Sequence, residues 1–171
     1  MGTGPLKFDP IEEAQAQWSA RWEPDVAEAM AAATSVMRAQ QVVLAAVDGA
    51  LRPLGLTFAR YEGLMLLYFS RRGALPLGKM GPRLMIHPTS VTNIIDRLEQ
   101  QGLVRRVPHP TDGRTTLAEI TDDGRALADR ATEAVNQVLF GLGSLSRTDL
   151  AHLVRIVRKL RRSVGDFSPE G

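Results

Sequence analysis

Apolar residues recur at helical spacing along most of this chain. In residues 25–52 the spacing alternates between three and four, which places an apolar stripe along one side of a long helix. Pro53 and Gly55 end that helix. A stripe of this length predicts burial against other helices. Its positions are Val26, Met30, Ala33, Met37, Gln40, Leu44, Val47 and Leu51.

The same periodicity predicts helices on both sides of this one. Residues 9–23 suit a short amphipathic helix, Thr57 caps a helix that reaches residue 70, and Leu77–Leu84 contains another. Towards the C-terminus, Thr121 begins a helix that runs to about residue 140, and Ser146 begins the last helix with a capping-box pattern. The apolar stripe of the last helix consists of Leu150, Leu153, Val154, Val157, Leu160 and Val164.

The pattern changes in residues 88–121. Residues 88–101 predict an amphipathic helix whose inward positions are Val91, Ile94, Ile95 and Leu98. Residues 103–121 then predict two short strands joined by a polar, cationic turn. A polar helix face beside a basic hairpin is typical of a winged helix that binds duplex DNA. The outward positions of the helix are Thr89, Ser90, Thr92, Asn93, Asp96 and Arg97.

The composition fits one folded domain or two small lobes that share helices. Of the 171 residues, 44% are hydrophobic and 23% are charged, which are ordinary fractions for a soluble protein. No apolar run has the roughly 18 residues of a membrane span, and we expect no secretory signal. The chain has no cysteine, which excludes disulfides, thiolate catalysis and thiol redox sensing. We therefore expect a cytoplasmic protein with no membrane partner.

Positive charge is concentrated in the middle of the chain. Residues 51–120 hold ten Lys or Arg and five Asp or Glu, a net charge of +5, whereas residues 1–50 have a net charge of −4. The whole chain carries only +2. A basic region that includes the polar helix and the hairpin favours binding to a polyanion, although a solvated cationic surface has the same charge.

Patterns for catalysis and metal binding are lacking. Asp122 and Asp123 suit the positive end of a helix dipole better than a catalytic pair. Ser144, Ser146 and His152 form no nucleophile motif, and the chain has no Gly-rich phosphate loop. The three histidines are isolated from acids at metal-ligand spacing. We expect no enzymatic activity, no metal and no cofactor.

Five motifs follow one another in residues 88–124. They are Pro88-Thr89-Ser90-Val91-Thr92, Asp96-Arg97-Leu98-Glu99, Gly102-Leu103-Val104-Arg105-Arg106, Pro110-Thr111-Asp112-Gly113-Arg114 and Ile120-Thr121-Asp122-Asp123-Gly124. In this order and at this spacing they resemble the MarR family of bacterial winged-helix regulators. The resemblance spans the chain from Asp25 to Val164.

The resemblance implies a mainly α fold, a winged helix-turn-helix with a small β-hairpin wing and a helical dimerisation platform from the N- and C-terminal helices. Residues 1–24 would form an arm, 25–55 a dimerisation helix, 56–120 the DNA-binding lobe, 121–165 the C-terminal dimerisation helices and 166–171 a tail. The implied function is a sequence-specific transcriptional regulator, a ligand-responsive repressor that binds a pseudo-palindromic operator in double-stranded DNA as a homodimer. The alternative is a winged-helix protein-interaction module without specific DNA binding.

The same resemblance assigns the candidate DNA-binding residues. The recognition helix would enter a major groove, and the wing arginine, Arg114, a minor groove, while Asp112 holds the wing in shape. Arg105 and Arg106 would contact phosphates or pair with acids, and His87 would contact DNA or cap the helix. The full set is His87, Thr89, Ser90, Thr92, Asn93, Arg97, Arg105, Arg106, His109, Asp112 and Arg114.

A small aromatic or phenolic effector is the remaining partner that the resemblance implies. Trp18 and Trp22 stand four residues apart, which predicts either two indoles packed on the dimer platform or part of an effector pocket. Binding in such a pocket would change the separation of the two recognition helices, and with it the DNA affinity. The candidate pocket residues are Trp18, Trp22, Arg38, Phe58, Tyr61 and Met65.

Two features depart from the family pattern before the recognition helix. Met85 occupies the position where the family usually has glycine, and Gly81-Pro82 falls inside the helix expected within Leu77–Leu84. Proline removes an amide donor and can kink a helix. We therefore expect either a short helix here or a shifted helix geometry.

Overall fold

The computed structural model describes residues 6–168, so residues 1–5 of the predicted arm and 169–171 of the predicted tail lie outside it. The predicted mainly α fold with a small sheet is confirmed. The elements are α1 (Pro10–Ser19), α2 (Pro24–Leu51), α3 (Phe58–Tyr68), β1 (Ala74–Pro76), α4 (Leu77–Leu84), α5 (Pro88–Gln100), β2 (Val104–Pro108), β3 (Thr116–Ile120), α6 (Asp122–Gln137) and α7 (Arg147–Ser163).

The chain divides into two compact units after residue 46, and the first unit contains α1 and most of α2. Asp9 caps α1, since its carboxylate accepts a hydrogen bond from the Ile11 amide at 2.8 Å. Along α2 the predicted apolar stripe is open in this unit, where Val26 is 48% and Met37 is 63% exposed. The expected burial against other helices, which include those of a second chain, stays a prediction for this part of the stripe.

The apolar character of α2 also changes one expectation from the sequence. The segment Pro24–Leu54 is long and apolar enough, by length and composition, to cross a membrane, and only 11% of its most apolar window is buried. Polar residues such as Gln40 and Gln41 interrupt the apolar run, which is why no such segment is evident in the sequence. Length and composition suit an interface between helices of two chains equally well.

The second unit has its core where α3, α5 and α6 pack together. Gly124, in the first turn of α6, allows that helix to begin against Leu103, the residue before β2, because a Cβ there would lie 2.1 Å from the Leu103 carbonyl oxygen. The largest fully buried side chains in this unit are Leu51, Leu64, Leu67, Met80, Ile95, Leu98, Val47, Val91, Val104 and Val135.

The sheet has the order β1-β3-β2 and is antiparallel throughout. The predicted hairpin is confirmed as β2 and β3, in register from Val104 opposite Ile120 to Pro108 opposite Thr116. Strand β1 was not predicted. It pairs Ala74 with Glu119, and its three residues are too few to show the two-residue period of a strand.

The C-terminal helices follow their predicted caps but not every predicted end. Thr121 caps α6 and a complete capping box between Ser146 and Asp149 begins α7. The predicted extension of α6 to residue 140 is wrong, since the helix ends at Gln137 and Leu139 and Phe140 have positive φ angles of 47° and 53°. No residue of α7 is buried. Four residues of its predicted apolar stripe, Leu153, Val154, Leu160 and Val164, are exposed, and the other two, Leu150 and Val157, are half-buried.

Candidate nucleic-acid interface

The outward face of α5 is polar because an apolar stripe occupies its inward positions. Val91, Ile95 and Leu98 are buried, and Ile94 is half-buried. Five predicted DNA-binding residues lie within less than half of the helix circumference, so a single groove of DNA could contact them all. These exposed residues are Thr89, Ser90, Thr92, Asn93 and Arg97. Asp96, also predicted on this face, is instead half-buried and paired.

The start of α5 is fixed by His87 and Pro88. Nδ1 of His87 accepts a hydrogen bond from the Thr89 amide at 3.3 Å, and Pro88 occupies a position that needs no amide donor. Of the two predicted roles for His87, capping is therefore present in the free protein. The histidine is exposed, and a contact with DNA stays a prediction.

The polar groups on α5 differ in their freedom to bind a base. The Thr92 hydroxyl donates to the Pro88 carbonyl oxygen at 3.3 Å, and Nη1 of Arg97 donates to the Gln100 side chain at 3.2 Å. Within residues 6–168 the Asn93 side-chain amide has no hydrogen-bond partner. Asn93 can therefore offer a donor and an acceptor together, which is the pattern that an adenine edge requires.

The turn before α5 accommodates both departures from the family pattern. Helix α4 continues through Pro82 for eight residues, so the predicted short helix is confirmed. Met85 then adopts a left-handed conformation, with φ 54° and ψ 41°, and its amide and that of Ile86 both donate to the Gly81 carbonyl oxygen. Met85 thus takes the backbone geometry that glycine usually supplies, and its side chain is 69% exposed.

The wing turn is held together by Asp112. Its carboxylate accepts a hydrogen bond from the Arg114 amide at 3.1 Å and from the Thr115 hydroxyl at 2.6 Å. These two bonds, the Thr115 bond first, lower the pKa of Asp112 below its usual value, and His109 adds a smaller effect. The geometry agrees with the predicted bracing role. The side chain of Arg114 is exposed at the tip, and that of His109 is half-buried and contacts Thr111.

Arg105 and Arg106 both pair with acids, which is one of the two predicted alternatives. Arg105 binds both carboxylate oxygens of Glu119 on the neighbouring strand, at 3.2 and 3.1 Å. Arg106 instead spans from β2 to α5, where Nη2 lies 2.6 Å from Asp96 and Nη1 contacts Glu99. The sequence could not identify these partners, because the pairing depends on how β2 lies against α5.

The candidate effector residues are distributed between the two units. In the first unit, the rings of Trp18 and Trp22 lie 4.5 Å apart between centroids, and Arg38 is exposed on α2. Trp22 follows the end of α1, so the predicted amphipathic helix is shorter than residues 9–23. The two indoles contact each other and Trp22 is 50% exposed, so both alternatives for these residues stay predictions.

The other candidate effector residues lie on α3 in the second unit. Tyr61 is buried beside Phe58, and its hydroxyl makes a 3.1 Å hydrogen bond with the Thr132 hydroxyl on α6. Met65 lines a groove of about 660 Å³ between α3 and α6. The remaining side chains of this groove are Tyr68, Phe69, Asp129, Thr132, Glu133, Asn136 and Gln137.

The chain is similar to known proteins over a longer stretch than the motifs in residues 88–124. The MarR family profile matches residues 56–116. The chain is 50% identical to Sco5413, a MarR family transcriptional regulator from Streptomyces coelicolor, whose solved structure superposes with a TM-score of 0.77. That match covers 82% of this chain and 98% of Sco5413.

Two further relatives are less similar. The organic hydroperoxide resistance transcriptional regulator of Bacillus subtilis is 34% identical over 58% of this chain, which spans 66%, just under two thirds, of that relative. BpsR of Bordetella bronchiseptica, whose DNA binding is regulated by 6-hydroxynicotinic acid, is 26% identical with a TM-score of 0.68. The BpsR match covers 75% of this chain and 91% of BpsR.

Proposed function

Because the chain belongs to the MarR family of winged-helix transcriptional regulators, we propose that it binds a pseudo-palindromic operator as a homodimer and represses transcription until an effector binds. One observation carries the DNA-binding part of this proposal. Ion pairs of Arg106 on β2 with Asp96 and Glu99 join the wing that presents Arg114 to α5, whose exposed face is polar. The surface made up of this face and the wing lies in the basic region of the chain.

Each part of that surface matches a feature of duplex DNA. The hydroxyl and amide groups of α5 suit base edges in a major groove, and Arg114 suits a narrow, electronegative minor groove. In a symmetric dimer, two such surfaces would contact half-sites whose centres are about 10 bp apart, or a multiple of that distance. Occlusion of a promoter in this way is the simplest route to repression. Because the proposed partner is DNA, we also place the protein in the cytoplasm.

Exposed apolar side chains support the homodimer. Val154 and Leu160 on α7 are 65% and 58% exposed, and Val164, directly after this helix, is 69% exposed. In the other unit, α2 also has exposed apolar residues. A second copy of the chain would remove this surface from water. Leu160→Asp should therefore give a monomer by light scattering and lose operator binding. Ala151→Asp, which places the same charge on α7 outside the apolar stripe, should remain dimeric.

The groove between α3 and α6 supports a small aromatic effector. Its walls include Met65, Tyr68 and the 77% exposed ring of Phe69, which suit a flat apolar ligand. Asp129 and Glu133 lie in the same groove and would repel a carboxylate. The groove therefore favours a neutral phenol over a carboxylated ring such as 6-hydroxynicotinic acid.

The effector proposal is testable with two probes. Phenol should weaken operator binding in a concentration-dependent way, and benzoate should have a smaller effect. Phe69→Ala should reduce the response to phenol and leave operator affinity without phenol unchanged. An equal response of the wild type and the Phe69 variant would exclude this groove as the effector site.

The function as a whole is tested by DNA selection. The purified protein is incubated with genomic fragments, bound fragments are sequenced, and the enriched sequence is titrated in a gel shift at several salt concentrations. We expect a pseudo-palindromic site whose affinity falls as salt rises. Binding that shows no preference among sequences would favour the alternative, a winged-helix module that binds protein.

A further inference from the structure

A groove of about 520 Å³, lined by polar and apolar side chains, lies between the start of α3 and the outward face of α5. Two of its side chains, Asn93 and Arg97, belong to the proposed DNA-reading face. Two others are Thr57, the N-cap of α3, and Arg60 on α3, and this helix contains none of the predicted DNA-binding residues. The groove therefore brings a second helix next to the recognition surface.

Close packing of the two helices holds Arg60 beside α5. Gly63 lies one turn after Arg60 on α3, and a Cβ on this glycine would lie 2.9 Å from Cγ2 of Ile94. The helices can approach this closely only because residue 63 has no side chain. Arg60 is half-buried, and its Nε donates to the Thr57 hydroxyl at 3.3 Å, which orients the guanidinium at the groove.

The charge of the groove is positive. Arg60 and Arg97 both line it, and no acidic residue does. Neither arginine forms an ion pair within the described part of the chain, in contrast to Arg105 and Arg106. Two guanidiniums with free donors are the usual protein partners of a phosphate group.

We propose that this groove binds a phosphate of the operator backbone, gripped between Arg60 from α3 and Arg97 from α5. The proposal rests on the proposed function and extends the DNA surface beyond α5 and the wing. A backbone phosphate is favoured over a free anion because the groove is open and continuous with Asn93, so a strand that passes α5 would cross it. Arg60 would add affinity and fix the position of α5, without selecting the base sequence.

The test compares three variants of the full-length protein on the selected operator. Arg60→Gln should weaken binding on the order of tenfold and should lower the slope of log affinity against log salt by about two per dimer, one for each lost contact. Arg60→Lys should keep most of the slope, because it keeps the charge. Arg130→Gln removes one charge from an exposed site on α6 and should change neither quantity.

Further measurements separate the possible outcomes. The loss in Arg60→Gln should be equal on operators with altered half-sites, and the Arg60→Gln/Arg97→Gln double variant should lose less than the product of the two single losses, because both arginines hold one phosphate. An unchanged affinity and salt slope in a folded Arg60→Gln protein would overturn the inference and leave the proposed function intact. Binding of inorganic phosphate to the wild type and to Arg60→Gln is measured as well. If Arg60→Gln lost phosphate binding but kept its DNA affinity, the inference would likewise be overturned, in favour of a free-anion site. Failure of the wild type to bind any DNA would instead overturn the proposed function.

Discussion

Nη2 of Arg106 on β2 lies 2.6 Å from Oδ1 of Asp96 on α5, so an ion pair joins the wing directly to the recognition helix. The Arg106 amide also donates to Glu99 at 3.0 Å. The Arg106 side chain is 27% exposed, compared with 65% for its neighbour Arg105. The less exposed arginine therefore sets the orientation of one DNA-reading element relative to the other, and the more exposed one braces the sheet.

Replacement of these two arginines should have different effects. Arg106→Gln leaves two acids on α5 without their partner and should lower the free energy of unfolding by about 1 kcal/mol or more. It should also weaken operator binding, because the wing is no longer fixed to α5. Arg105→Gln breaks an exposed pair within the sheet and should cost at most about 0.5 kcal/mol. Urea unfolding and gel shifts of both variants check this, and equal losses would show that the pair with Asp96 has no special role.

Elements with a regular residue pattern could be predicted from the sequence. The bounds of α5 and the N-caps Thr57, Thr121 and Ser146 agree with the structure. These caps could be predicted because a hydroxyl just before a helical apolar pattern accepts a hydrogen bond from an amide in the first turn of the same helix. The exposed positions of the candidate DNA-binding residues on α5 follow from the helical spacing of its apolar residues. The paired state of Asp96 does not, since its partner is ten residues away on another element.

Other features have no local signal. The left-handed Leu139 and Phe140 end α6, yet neither is the glycine or asparagine that usually marks this conformation. Arg60 was not predicted to bind DNA, because its place next to α5 depends on the contact between Gly63 and Ile94. Tertiary packing, more than residue preference, therefore determines the part of the candidate site that the sequence does not reveal.

Asn93 should determine base preference. Its amide is free in the described residues, whereas the Thr92 hydroxyl already bonds to Pro88. Asn93→Ala should change the preference among half-site sequences by roughly 1–3 kcal/mol at one position, while Thr92→Ala should have a smaller effect. Competition gel shifts with operators altered one base pair at a time measure the preference. A uniform loss over all operators would assign Asn93 to phosphate contact.

Met85 should be replaceable by glycine with a gain in stability. A left-handed conformation costs a non-glycine residue roughly 1–2 kcal/mol, which glycine would recover. Because glycine gives the unfolded chain more conformational entropy, about 0.5–1 kcal/mol of that recovered free energy is lost again. Since the Met85 side chain is 69% exposed, little packing is lost. Met85→Gly should raise the free energy of unfolding by up to about 1 kcal/mol, and Met85→Val should lower it. A less stable glycine variant would show that the methionine side chain contributes packing that outweighs its backbone cost.

The wing should lose its order in acid. The pKa of Asp112 is lower in the folded wing than in an unfolded chain, so its bonds to Thr115 and Arg114 contribute stability above about pH 4. That contribution is lost as the pH falls through the folded pKa. NMR titration of the Arg114 amide should show a midpoint below 3.8, the ordinary value for this carboxyl group. The Asp112→Asn variant should lack the transition, and a midpoint above 3.8 would contradict the bracing role.

Arg114 at the wing tip should bind DNA without supporting the fold. Its side chain is exposed, and only its backbone amide takes part in the turn, through Asp112. Arg114→Ala should therefore weaken operator binding on the order of tenfold or more, since a minor-groove arginine interacts with the concentrated negative potential there. The loss should be larger on operators with A·T-rich flanks, whose minor groove is narrower, than on G·C-rich ones. Light scattering and thermal unfolding should show an unchanged oligomeric state and Tm. A dissociated or unstable variant would instead make the wing arginine a structural residue.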